Sequence, residues 1–447
     1  MPKKKGAPAS PFVPEEEQPY PIPENWCWTT VDKVAMVITG GTPSKKNPEY
    51  YGDEFPFFKP TDLDAGRHVF TASEYLSERG KSIVRIIPSK STAVCCIGSI
   101  GKSGYLEIEG TTNQQINSAI PKFNSLYLFY FMNTDVFINQ LWSKSSATTI
   151  SIVNKSKMES CYFPLAPLLE QHRIVSRIES LFSKLDEAKE KAQAVVDGFE
   201  LRKSAILHKA FTGELTERWR KEHGVGLDSW TKRKLKNCGD WCGGGTPSMA
   251  HPEYWDGGDL LWITSKDMKS DIIEDTLLHT NMAGVNNSSA NYIERPSVLF
   301  VMRSGILRRT LPIAMVKVPF TVNQDLKAVS PVNDLDLEYF FWVCKSAEKR
   351  MLGTCMKNGT TVESINTKTL MEFEIPVASQ SEQREIVNCI IGLLDKEQQA
   401  KSAAEAVLTQ IDAMKKAILA RAFRGELGTN NPEEASAAEM LNTVLGE

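Results

Sequence analysis

The chain of 447 residues contains one pattern twice. The stretch GGTPSKKNPEYYG begins at Gly40 and returns as GGTPSMAHPEYWDG at Gly244. Trp26 has its counterpart at Trp230, again 204 residues further along the chain. Because self-similarity at a fixed separation indicates a repeated structural module, any fold proposed for one half must also serve the other.

The separation between matching positions increases along the chain and then stays constant. Asn113-Gln114 matches Asn323-Gln324 at a separation of 210 residues, and all later matches are at 212. These later matches are Thr148-Thr149-Ile150 with Thr360-Thr361-Val362, Pro164 with Pro376, Glu170-Gln171 with Glu382-Gln383, and Ala210-Phe211 with Ala422-Phe423. One part of each module therefore varies in loop length, whereas the other part keeps a constant length.

The part of constant length is predicted to be one long helix in each copy. Apolar residues recur there at alternating spacings of four and three, which is the heptad pattern of helices that pack side by side. Gly213 and Gly425 follow as stop signals, and about 40 helical residues would span roughly 60 Å. The predicted seam is Ile174, Ile178, Leu181, Leu185, Ala188, Ala192, Val195 and Phe199 in the first copy, and Ile386, Ile390, Leu393, Ala400, Ala404, Val407 and Ile411 in the second, where Glu397 interrupts it.

A lone helix cannot bury such a seam, so we expect the two helices to pack on each other. Since a globular segment lies between them, an antiparallel pairing would place the two globular segments at opposite ends, related by a pseudo-twofold axis. Short apolar stretches in these segments, such as 92–97 and 298–302, are bounded by Gly, Pro and Ser as strands are. The segments 126–132 and 337–344 are predicted to be short helices with aromatic side chains in the core.

The predicted fold is therefore α+β. It consists of two strand-rich mixed domains joined by two long antiparallel helices that form a coiled coil, with a pseudo-twofold internal repeat. The predicted boundaries are a flexible N-terminal tail at 1–22, the first strand-rich domain at 23–165, the first helix at 166–220, the second strand-rich domain at 221–377, the second helix at 378–428 and a flexible C-terminal tail at 429–447.

Composition neither demands nor excludes a nucleic-acid partner. The net charge is −3, but a DNA-binding protein needs only a locally basic surface. Such a stretch runs from Arg295 to Lys317, whereas acidic residues gather near both ends of the chain. Net charge is therefore weak evidence in either direction.

Other features of the sequence favour a soluble, cytoplasmic protein without a membrane partner. The apolar runs are far shorter than the ~20 residues of a membrane-spanning helix. The N-terminal MPKKKGAPAS has no apolar segment behind it, and the nine cysteines include no C-x-x-C pair. We expect reduced and partly buried thiols.

Several segments resemble catalytic motifs but lack residues that those motifs require. The run 98–103, GSIGKS, lacks the earlier glycine of a phosphate-binding loop, because Cys96 stands in its place. The run 47–50, NPEY, is similar to the Asn-Pro-Pro-Tyr signature of adenine-N6 methyltransferases, but no glycine-rich cofactor loop accompanies it, so a turn that closes the Gly-Gly-Thr-Pro loop is favoured. The six histidines show no metal-ligand pairing such as His-Glu-x-x-His. The sequence therefore predicts no catalytic and no metal-binding residues.

Together, the repeated landmarks resemble those of one family. Trp26 precedes Gly-Gly-Thr-Pro-Ser, then Asn-Gln follows, and Pro-Leu-Ala-Pro-Leu-Leu-Glu-Gln-His-Arg-Ile-Val opens a helix that closes with Ala-Phe-Thr-Gly-Glu-Leu. This pattern resembles the specificity subunit of type I restriction-modification systems over nearly the whole chain, from about 23 to 427. The second copy departs from it at the helix entry, where Gln380-Ser381 replaces Leu168-Leu169.

The resemblance implies a non-catalytic DNA-recognition subunit of a phage-defence complex. Each strand-rich domain would be a target-recognition domain for one half of a split asymmetric site in double-stranded DNA. The helices would act as a ruler and as the docking surface for two methyltransferase subunits, and restriction subunits with a translocase would join this core. No cofactor is expected in this chain: the resemblance places S-adenosylmethionine in the methyltransferase partner, and ATP and Mg in the restriction partner.

Polar and basic loop residues are the candidates for DNA contact, since hydrogen bonds to base edges in the major groove specify sequence. Asn113-Gln114 and Asn323-Gln324 are shared by both copies, so a structural or phosphate-positioning role is favoured for them. The glycines of Gly-Gly-Thr-Pro are predicted to permit a tight turn. The remaining candidates are Ser44, Lys45, Lys46, Lys59, Thr61 and Lys102 in the first domain, and Ser248, Lys266, Arg303, Arg308 and Arg309 in the second.

Two other functions stay open on the sequence alone. A stand-alone adenine-N6 DNA methyltransferase would require a methyl-donor loop, which the sequence does not offer. A coiled-coil scaffold that binds only protein would use the helices without any DNA contact, and a footprint on DNA would separate it from a DNA-reading subunit.

Overall fold

The computed structural model describes residues 10–146, 151–357 and 362–446, so the landmarks at 148–150 and 360–361 lie outside the described residues. The chain forms two compact units, which we call unit 1 (Met1–Gln193 with Ala406–Glu447) and unit 2 (Ala194–Glu405). Each predicted long helix contributes residues to both units. The helices are therefore divided between the units, whereas the predicted boundaries treat them as separate segments.

Unit 1 is built from short strands and short helices, followed by one long helix. Its strands are β1 (Cys27–Thr30), β2 (Ala35–Thr39), β3 (Tyr51–Gly52), β4 (Phe55–Phe58), β5 (Glu74–Leu76), β6 (Thr92–Cys95), β7 (Ser103–Tyr105), β8 (Thr111–Thr112), β9 (Ile116–Pro121) and β10 (Tyr162–Leu165). Its helices are α1 (Val31–Val34), α2 (Glu78–Lys81), α3 (Ser125–Met132), α4 (Asp135–Ser143), α5 (Lys155–Glu159) and the larger part of α6 (Leu168–Asp197).

Unit 2 repeats this arrangement. Its strands are β11 (Thr231–Lys234), β12 (Gly239–Gly243), β13 (Leu260–Ile263), β14 (His279–Thr280), β15 (Ser297–Val301), β16 (Ile313–Val316), β17 (Phe320–Val322), β18 (Leu326–Pro331) and β19 (Glu374–Val377). The helices that follow α6 along the chain are α7 (Phe199–Phe211), α8 (Glu217–His223), α9 (Met282–Asn286), α10 (Leu337–Ser346), α11 (Glu348–Cys355), α12 (Thr367–Met371), α13 (Gln380–Ala422), whose last turns belong to unit 1, and α14 (Ala437–Leu445) of unit 1.

The strand order in unit 2 matches that in unit 1, except that β3 at the edge of the second sheet has no counterpart among the described strands of unit 2. Unit 1 has the sheets β2-β9-β6-β7 and β3-β5-β4-β8 and the pair β1-β10, while unit 2 has β12-β18-β15-β16, β14-β13-β17 and the pair β11-β19. Neighbouring strands are antiparallel, except that β4 runs parallel to β8 and β13 runs parallel to β17. The equivalent parallel pair in each unit confirms the internal repeat and the mixed, strand-rich α+β class.

The two aromatic segments form short helices, as predicted. Helix α3 begins after Asn124, whose side chain accepts hydrogen bonds from two backbone N–H groups, and α10 begins after Asp336, which caps it in the same way. Phe131 and Phe340 are fully buried in the cores of their units. The aromatic side chains of these helices therefore serve packing.

The Glu-Gln pair at the start of each long helix explains why this motif recurs. In unit 1, the Trp26 indole N–H donates to Glu170 (2.7 Å), and the backbone N–H of Asn124 donates to Gln171 (3.2 Å). Gln171 also donates to the carbonyl oxygen of Ala166 (2.8 Å). Both side chains are fully buried. The motif therefore joins the start of α6 to the first strand segment and to α3.

Unit 2 contains the same junction. Trp230 donates to Glu382 (2.8 Å), while Gln383 accepts from the backbone N–H of Asp336 (2.8 Å) and donates to the carbonyl oxygen of Ala378 (2.9 Å). Glu382 and Gln383 are fully buried. A sequence match at constant separation thus corresponds to an equivalent set of hydrogen bonds.

In each unit, residues just beyond the end of the other long helix donate hydrogen bonds to the buried glutamate of this junction. In unit 1, Thr429 and Asn430 beyond α13 donate to Glu170 (3.4 and 2.9 Å). In unit 2, Thr216 and Arg220 beyond α7 both donate to Glu382 (2.7 Å each). Gly213 and Gly425 have φ of +86° and +75° just after these helices, which confirms them as stop signals.

Within each unit the two helical segments run antiparallel, as predicted. In unit 2, Lys401 lies over the ring of Phe199, and Arg202 pairs with Glu397, so residue numbers rise on one helix as they fall on the other. In unit 1, Asp186 pairs with Lys415 (2.5 Å), and Glu170 accepts from residues beyond α13.

Most seam predictions agree with the burial of the side chains, but two are wrong. Val407 is 41% exposed and Ala400 is also exposed, while their neighbours Leu408 and Lys401 are partly buried. A straight α-helix has 3.6 residues per turn, so a strict heptad seam drifts around it and one extra spacing of four restores the buried face. The buried seam residues are Ile174, Ile178, Ala192, Ile386, Ile390, Ala404 and Ile411, and the partly buried ones are Leu181, Leu185, Ala188, Val195, Phe199 and Leu393.

The first long helix is also interrupted, whereas the sequence predicts one continuous helix. Helix α6 ends at Asp197 and α7 begins at Phe199, with Gly198 between them. Glycine has the weakest helix propensity after proline, so it is the natural place for such an interruption.

The described parts of both termini pack on unit 1, which corrects the prediction of flexible tails. Near the N-terminus, Val13 is buried and its backbone N–H donates to the carbonyl oxygen of Trp28 (2.9 Å). Near the C-terminus, helix α14 buries Leu441 in the core, and Arg173 makes a bidentate ion pair with Glu434 (2.7 and 2.9 Å). The acidic residues around α14 resemble a solvated tail in sequence because their partner lies far away in the chain. None of the described helices is long and apolar enough to cross a bilayer.

We predict that Glu382→Ala destabilises the protein more than the matched variant Glu170→Ala. Loss of Glu382 leaves the Arg220 guanidinium, whose side chain is only 8% exposed, without its carboxylate, which costs about 3–5 kcal/mol. Loss of Glu170 removes the acceptor of neutral donors only, from Trp26, Thr429 and Asn430, which costs about 1–3 kcal/mol. Urea unfolding of the full chain measures both, and equal losses would contradict the role assigned to Arg220.

Candidate nucleic-acid interface

Four loops of unit 1 leave the same end of its sheets. In the first sheet, Thr39 at the end of β2 lies opposite Asn117, and Cys95 at the end of β6 lies opposite Ile116. In the second sheet, β4 and β8 run parallel and end side by side at Phe58 and Thr112. The loops that follow β2, β4, β6 and β8 therefore form one face, which we call loop face 1.

Loop face 1 brings together all the first-domain candidates. The two sheets meet there because the backbone N–H of Gly41, after β2, donates to the carbonyl oxygen of Thr112 in β8 (2.8 Å). Within the second sheet, the backbone N–H of Asn113 after β8 donates to the carbonyl oxygen of Phe58 in β4 (3.2 Å). The candidates on this face are Ser44, Lys45 and Lys46 after β2, Lys59 and Thr61 after β4, Lys102 after β6, and Asn113 and Gln114 after β8.

Unit 2 has the equivalent loop face 2, formed by the loops that follow β12, β13, β15 and β17. The backbone N–H of Asn323 donates to the carbonyl oxygen of Ile263 (3.0 Å), which repeats the bond from Asn113 to Phe58 within the second sheet. The two sheets of unit 2 are joined by the Trp262 indole N–H in β13, which donates to the carbonyl oxygen of Gly245 after β12 (3.0 Å). The candidates on this face are Ser248 after β12, Lys266 after β13, Arg303, Arg308 and Arg309 after β15, and Asn323 and Gln324 after β17. In both units the fold therefore clusters residues that are far apart in the sequence.

The shared Thr and Gln residues form a clamp on each face. The Thr42 hydroxyl donates to Oε1 of Gln114, and the Thr246 hydroxyl donates to Oε1 of Gln324 (2.8 Å). Both glutamines are exposed. Within the described residues no protein group accepts from Nε2 of either glutamine, so each amide group presents its donors to solvent. The neighbouring Asn113 and Asn323 are nearly buried and accept hydrogen bonds within their own turns.

The first glycine of each Gly-Gly-Thr-Pro run serves close approach between backbones. A Cβ on Gly40 would lie 2.2 Å from the carbonyl oxygen of Thr112, and one on Gly244 would lie 1.7 Å from that of Val322. Neither glycine has a positive φ. The tight-turn prediction is therefore wrong for these residues: glycine is needed because no side chain fits between the loop and the strand end.

An aspartate that the sequence reasoning missed shapes the loop after β4 and β13. The Asp62 carboxylate accepts from the backbone N–H groups of Lys59 (2.7 Å) and Ser73 (3.0 Å). The Asp267 carboxylate accepts equivalently from Thr264 (2.8 Å) and Leu277 (3.0 Å). The two aspartates are 205 residues apart, which lies between the separation of 204 at the Gly-Gly-Thr-Pro runs and that of 210 at the Asn-Gln pairs. A finer alignment of the two copies could therefore have found them.

The candidate cations fall into two groups. Three of them have carboxylate partners: Lys59 pairs with Glu74 (2.6 Å), Lys102 with Asp64 (2.6 Å) and Arg308 with Glu363 (2.5 Å). The hydrogen bond from Arg308 lowers the pKa of Glu363. The other five are exposed and make no ion pair within the part of the chain that the structure describes: Lys45, Lys46, Lys266, Arg303 and Arg309.

The motifs rejected as catalytic have structural roles here. The run 98–103 connects β6 to β7, with Gly98 and Gly101 at positive φ, and no helix follows it as in a phosphate-binding loop. The runs 47–50 and 251–254 form short 3₁₀ turns beside the Gly-Gly-Thr-Pro loops, as predicted. Burial raises the pKa of Cys96 to about 12, so this thiol stays protonated at neutral pH.

Comparison with protein families gives a match that covers most of the chain. Residues 23–196 and 228–403 match the type I restriction modification DNA specificity domain. The chain belongs to this family. The two matched segments correspond to the two copies of the module, each with its strand-rich domain and the first part of the helix that follows.

Named specificity subunits are similar to this member of the family over different lengths. The chain is 38% identical to the EcoR124I/EcoR124II specificity subunit of Escherichia coli over 164 residues, 37% of this chain and 40% of that one. It is 30% identical to the MjaIX specificity subunit of Methanocaldococcus jannaschii over 37% of that protein. These two alignments thus span about two fifths of the relatives. The EcoKI specificity subunit of Escherichia coli K12 is 22% identical over 95% of this chain and 96% of its own length.

Solved structures support the family fold. The HsdS subunit from Thermoanaerobacter tengcongensis aligns with a TM-score of 0.65 and 20% identity, covering 92% of this chain and all of that one. A chain from work on complex assembly and conformational transition of the type I R-M system aligns with a TM-score of 0.66 and 19% identity, with the same coverage. At this identity the likeness concerns the fold alone.

We predict that Gly40→Ala disturbs loop face 1, whereas the adjacent Gly41→Ala does not. A Cβ on Gly41 meets no atom within 4 Å, in contrast to one on Gly40. The first variant should lose about 1–3 kcal/mol of stability through overpacking. Hydrogen exchange of residues 40–47 should also accelerate in Gly40→Ala alone. Equal behaviour of the two variants would show that close approach does not hold this loop.

Proposed function

We propose that this chain reads a bipartite, asymmetric site in double-stranded DNA, with loop face 1 on one half-site and loop face 2 on the other. The observation that carries the proposal is that two equivalent faces stand on the same frame but present different side chains. Loop face 1 has an unpaired Lys45-Lys46 pair, whereas loop face 2 has Lys266, Arg303 and Arg309. Equivalent positions with different hydrogen-bond donors suit two different base sequences.

The features common to both faces suit the DNA backbone. The amide donors of Gln114 and Gln324 are oriented identically by the threonine clamps. A group that is the same on both readers carries no information about which half-site it contacts. Phosphate oxygens, which every sequence offers, are the partner that such donors suit.

The subunit would contribute recognition, and its partners would contribute chemistry. We propose two methyltransferase subunits that supply S-adenosylmethionine, and restriction subunits that supply ATP- and Mg-dependent translocation and cleavage. The described residues contain no group of three His, Cys, Asp or Glu side chains placed to hold a metal ion. A methylation assay of the isolated chain tests the alternative of a stand-alone methyltransferase, and a footprint on DNA tests the alternative of a protein-only scaffold.

We predict that Arg303→Ala weakens binding at the second half-site only, by about 1–3 kcal/mol. Arg303 lies at the end of β15 on loop face 2 and has no ion-pair partner among the described residues. Arg295→Ala is the matched control, because Arg295 precedes β15 at the opposite end of the sheet, where it donates to the carbonyl oxygen of Pro331 (2.6 Å). Competition binding with either half-site altered measures the effect. An equal loss on unrelated DNA would make Arg303 a phosphate contact.

We also predict that insertion into the long helices changes the spacer between half-sites, not the half-sites themselves. Seven residues inserted between Lys189 and Val196 lengthen a helix by about 10 Å. That length corresponds to about three base pairs, since the DNA repeat of about 34 Å contains 10–10.5. An insertion of the same length in α13 would keep the two helices paired in the same register. Methylation mapping in the assembled complex reads the outcome, and new half-sites with an unchanged spacer would refute the ruler model.

A further inference from the structure

Both long helices depart from a regular seam at the same level of unit 2. In the first helix, Gly198 separates α6 from α7, although its φ of −77° and ψ of −7° remain helical. In the second, Glu397 stands in the seam, which continues with Lys401 after a second spacing of four. An irregularity of this kind locally changes the winding of a coiled coil.

One ion pair joins the two irregular positions. The Arg202 guanidinium donates through Nε to Glu397 (2.6 Å) and through Nη2 to the carbonyl oxygen of Val195 (2.7 Å), just before Gly198. The side chains of Arg202 and Glu397 are 36% and 26% exposed. Arg202 thus bridges the interruption in its own helix and binds the other helix at the same time.

The apolar packing nearby discriminates weakly between alternative registers. Near this level the first helix offers Ala192 and Val195 beside the larger Phe199, whose ring contacts Lys401, and the second offers Ala404. Small aliphatic side chains of similar size can exchange places with little change in packing. A single polar contact in a seam, by contrast, is satisfied in only one register, which is how buried polar groups specify alignment in coiled coils.

We infer that the Arg202–Glu397 ion pair fixes the register of the helical connection and thereby determines the spacer length that the protein accepts between its half-sites. The inference rests on the proposed function. Helices α6 and α13 carry the chain between unit 1 and unit 2. The register in which they pair within unit 2 therefore determines where each helix leaves it.

The test measures methylation by the assembled methyltransferase complex on DNA in which both half-sites are constant and the spacer varies by single base pairs. Wild-type protein should prefer one spacer by about tenfold over its neighbours, the scale of one mismatched base pair. Glu397→Gln and Arg202→Gln should each reduce this preference by about threefold, the scale of a partly exposed ion pair. Arg202→Lys retains the charge and should give an intermediate preference.

Gly198→Ala separates register from stability. Its backbone angles suit alanine, so the gain in helix propensity opposes the loss of the Arg202 contacts and the close approach of the new Cβ to the carbonyl oxygen of Ala194 (3.0 Å). The new Cβ would, however, lie 2.4 Å from Nη1 of Arg202 and displace the guanidinium. We expect a melting temperature close to that of the wild type with a weaker spacer preference, a combination that a loss of stability alone would not produce.

Lys415→Gln is the matched control. Lys415 also makes an ion pair between the two helices, with Asp186 in unit 1, but at a level where α6 is uninterrupted. Its loss should leave the spacer preference unchanged. An unchanged preference in Glu397→Gln and Gly198→Ala, in complexes that still methylate, would overturn the inference. Equal methylation at every spacer by the wild-type complex would instead refute the proposed function on which it rests.

Discussion

Each unit is closed by a carboxylate that solvent does not reach, Glu170 in unit 1 and Glu382 in unit 2. Each accepts hydrogen bonds from a tryptophan at the start of a strand-rich domain and from residues just beyond the end of the other long helix. A buried carboxylate is costly unless it is fully hydrogen-bonded, so all three segments must be in place together. This requirement explains why the two ends of the helical module keep one separation in both copies while the loops between strands do not.

The junctions lie at the ends of the long helices, whereas the proposed contact with DNA is made by the loops at the ends of the strands. The parallel pairs β4–β8 and β13–β17 end side by side at the loop faces, and the first glycine of each Gly-Gly-Thr-Pro run, which follows a strand of the other sheet, lets its loop lie directly on the neighbouring strand end. Loops anchored in this way can change length and charge without disturbing the sheet. The family match over both modules agrees with a frame that is constant and loops that differ.

Much of this organisation could be predicted from the sequence, because repeats and heptads can be read from residue spacing without knowledge of tertiary contacts. The helices, their glycine stops and the aromatic cores follow from spacing alone, whereas the clustering of the loops depends on the pairing of strands that are far apart in the sequence. Other features depend on partners far away in the chain. The exposure of Val407 follows from the way helical turns drift against a heptad, and the packing of α14 requires Arg173, which lies more than half the chain away. The roles of Asp62 and Asp267 needed the loop geometry, since an isolated aspartate gives no sign of the N–H groups it will bind.

The sequence gives little information about which charged side chains form ion pairs, and the structure explains why. A net charge of −3 averages over cations that have different roles. Arg220 and Arg202 are paired inside the frame, where they orient helices, while Lys59, Lys102 and Arg308 are paired at the edge of the loop faces. Lys45 and Lys46 are exposed and have no ion-pair partner among the described residues, so loop face 1 is locally basic although the whole chain is acidic. A locally basic face suits the proposed DNA partner, because lysine side chains that neutralise phosphates release counterions from the DNA.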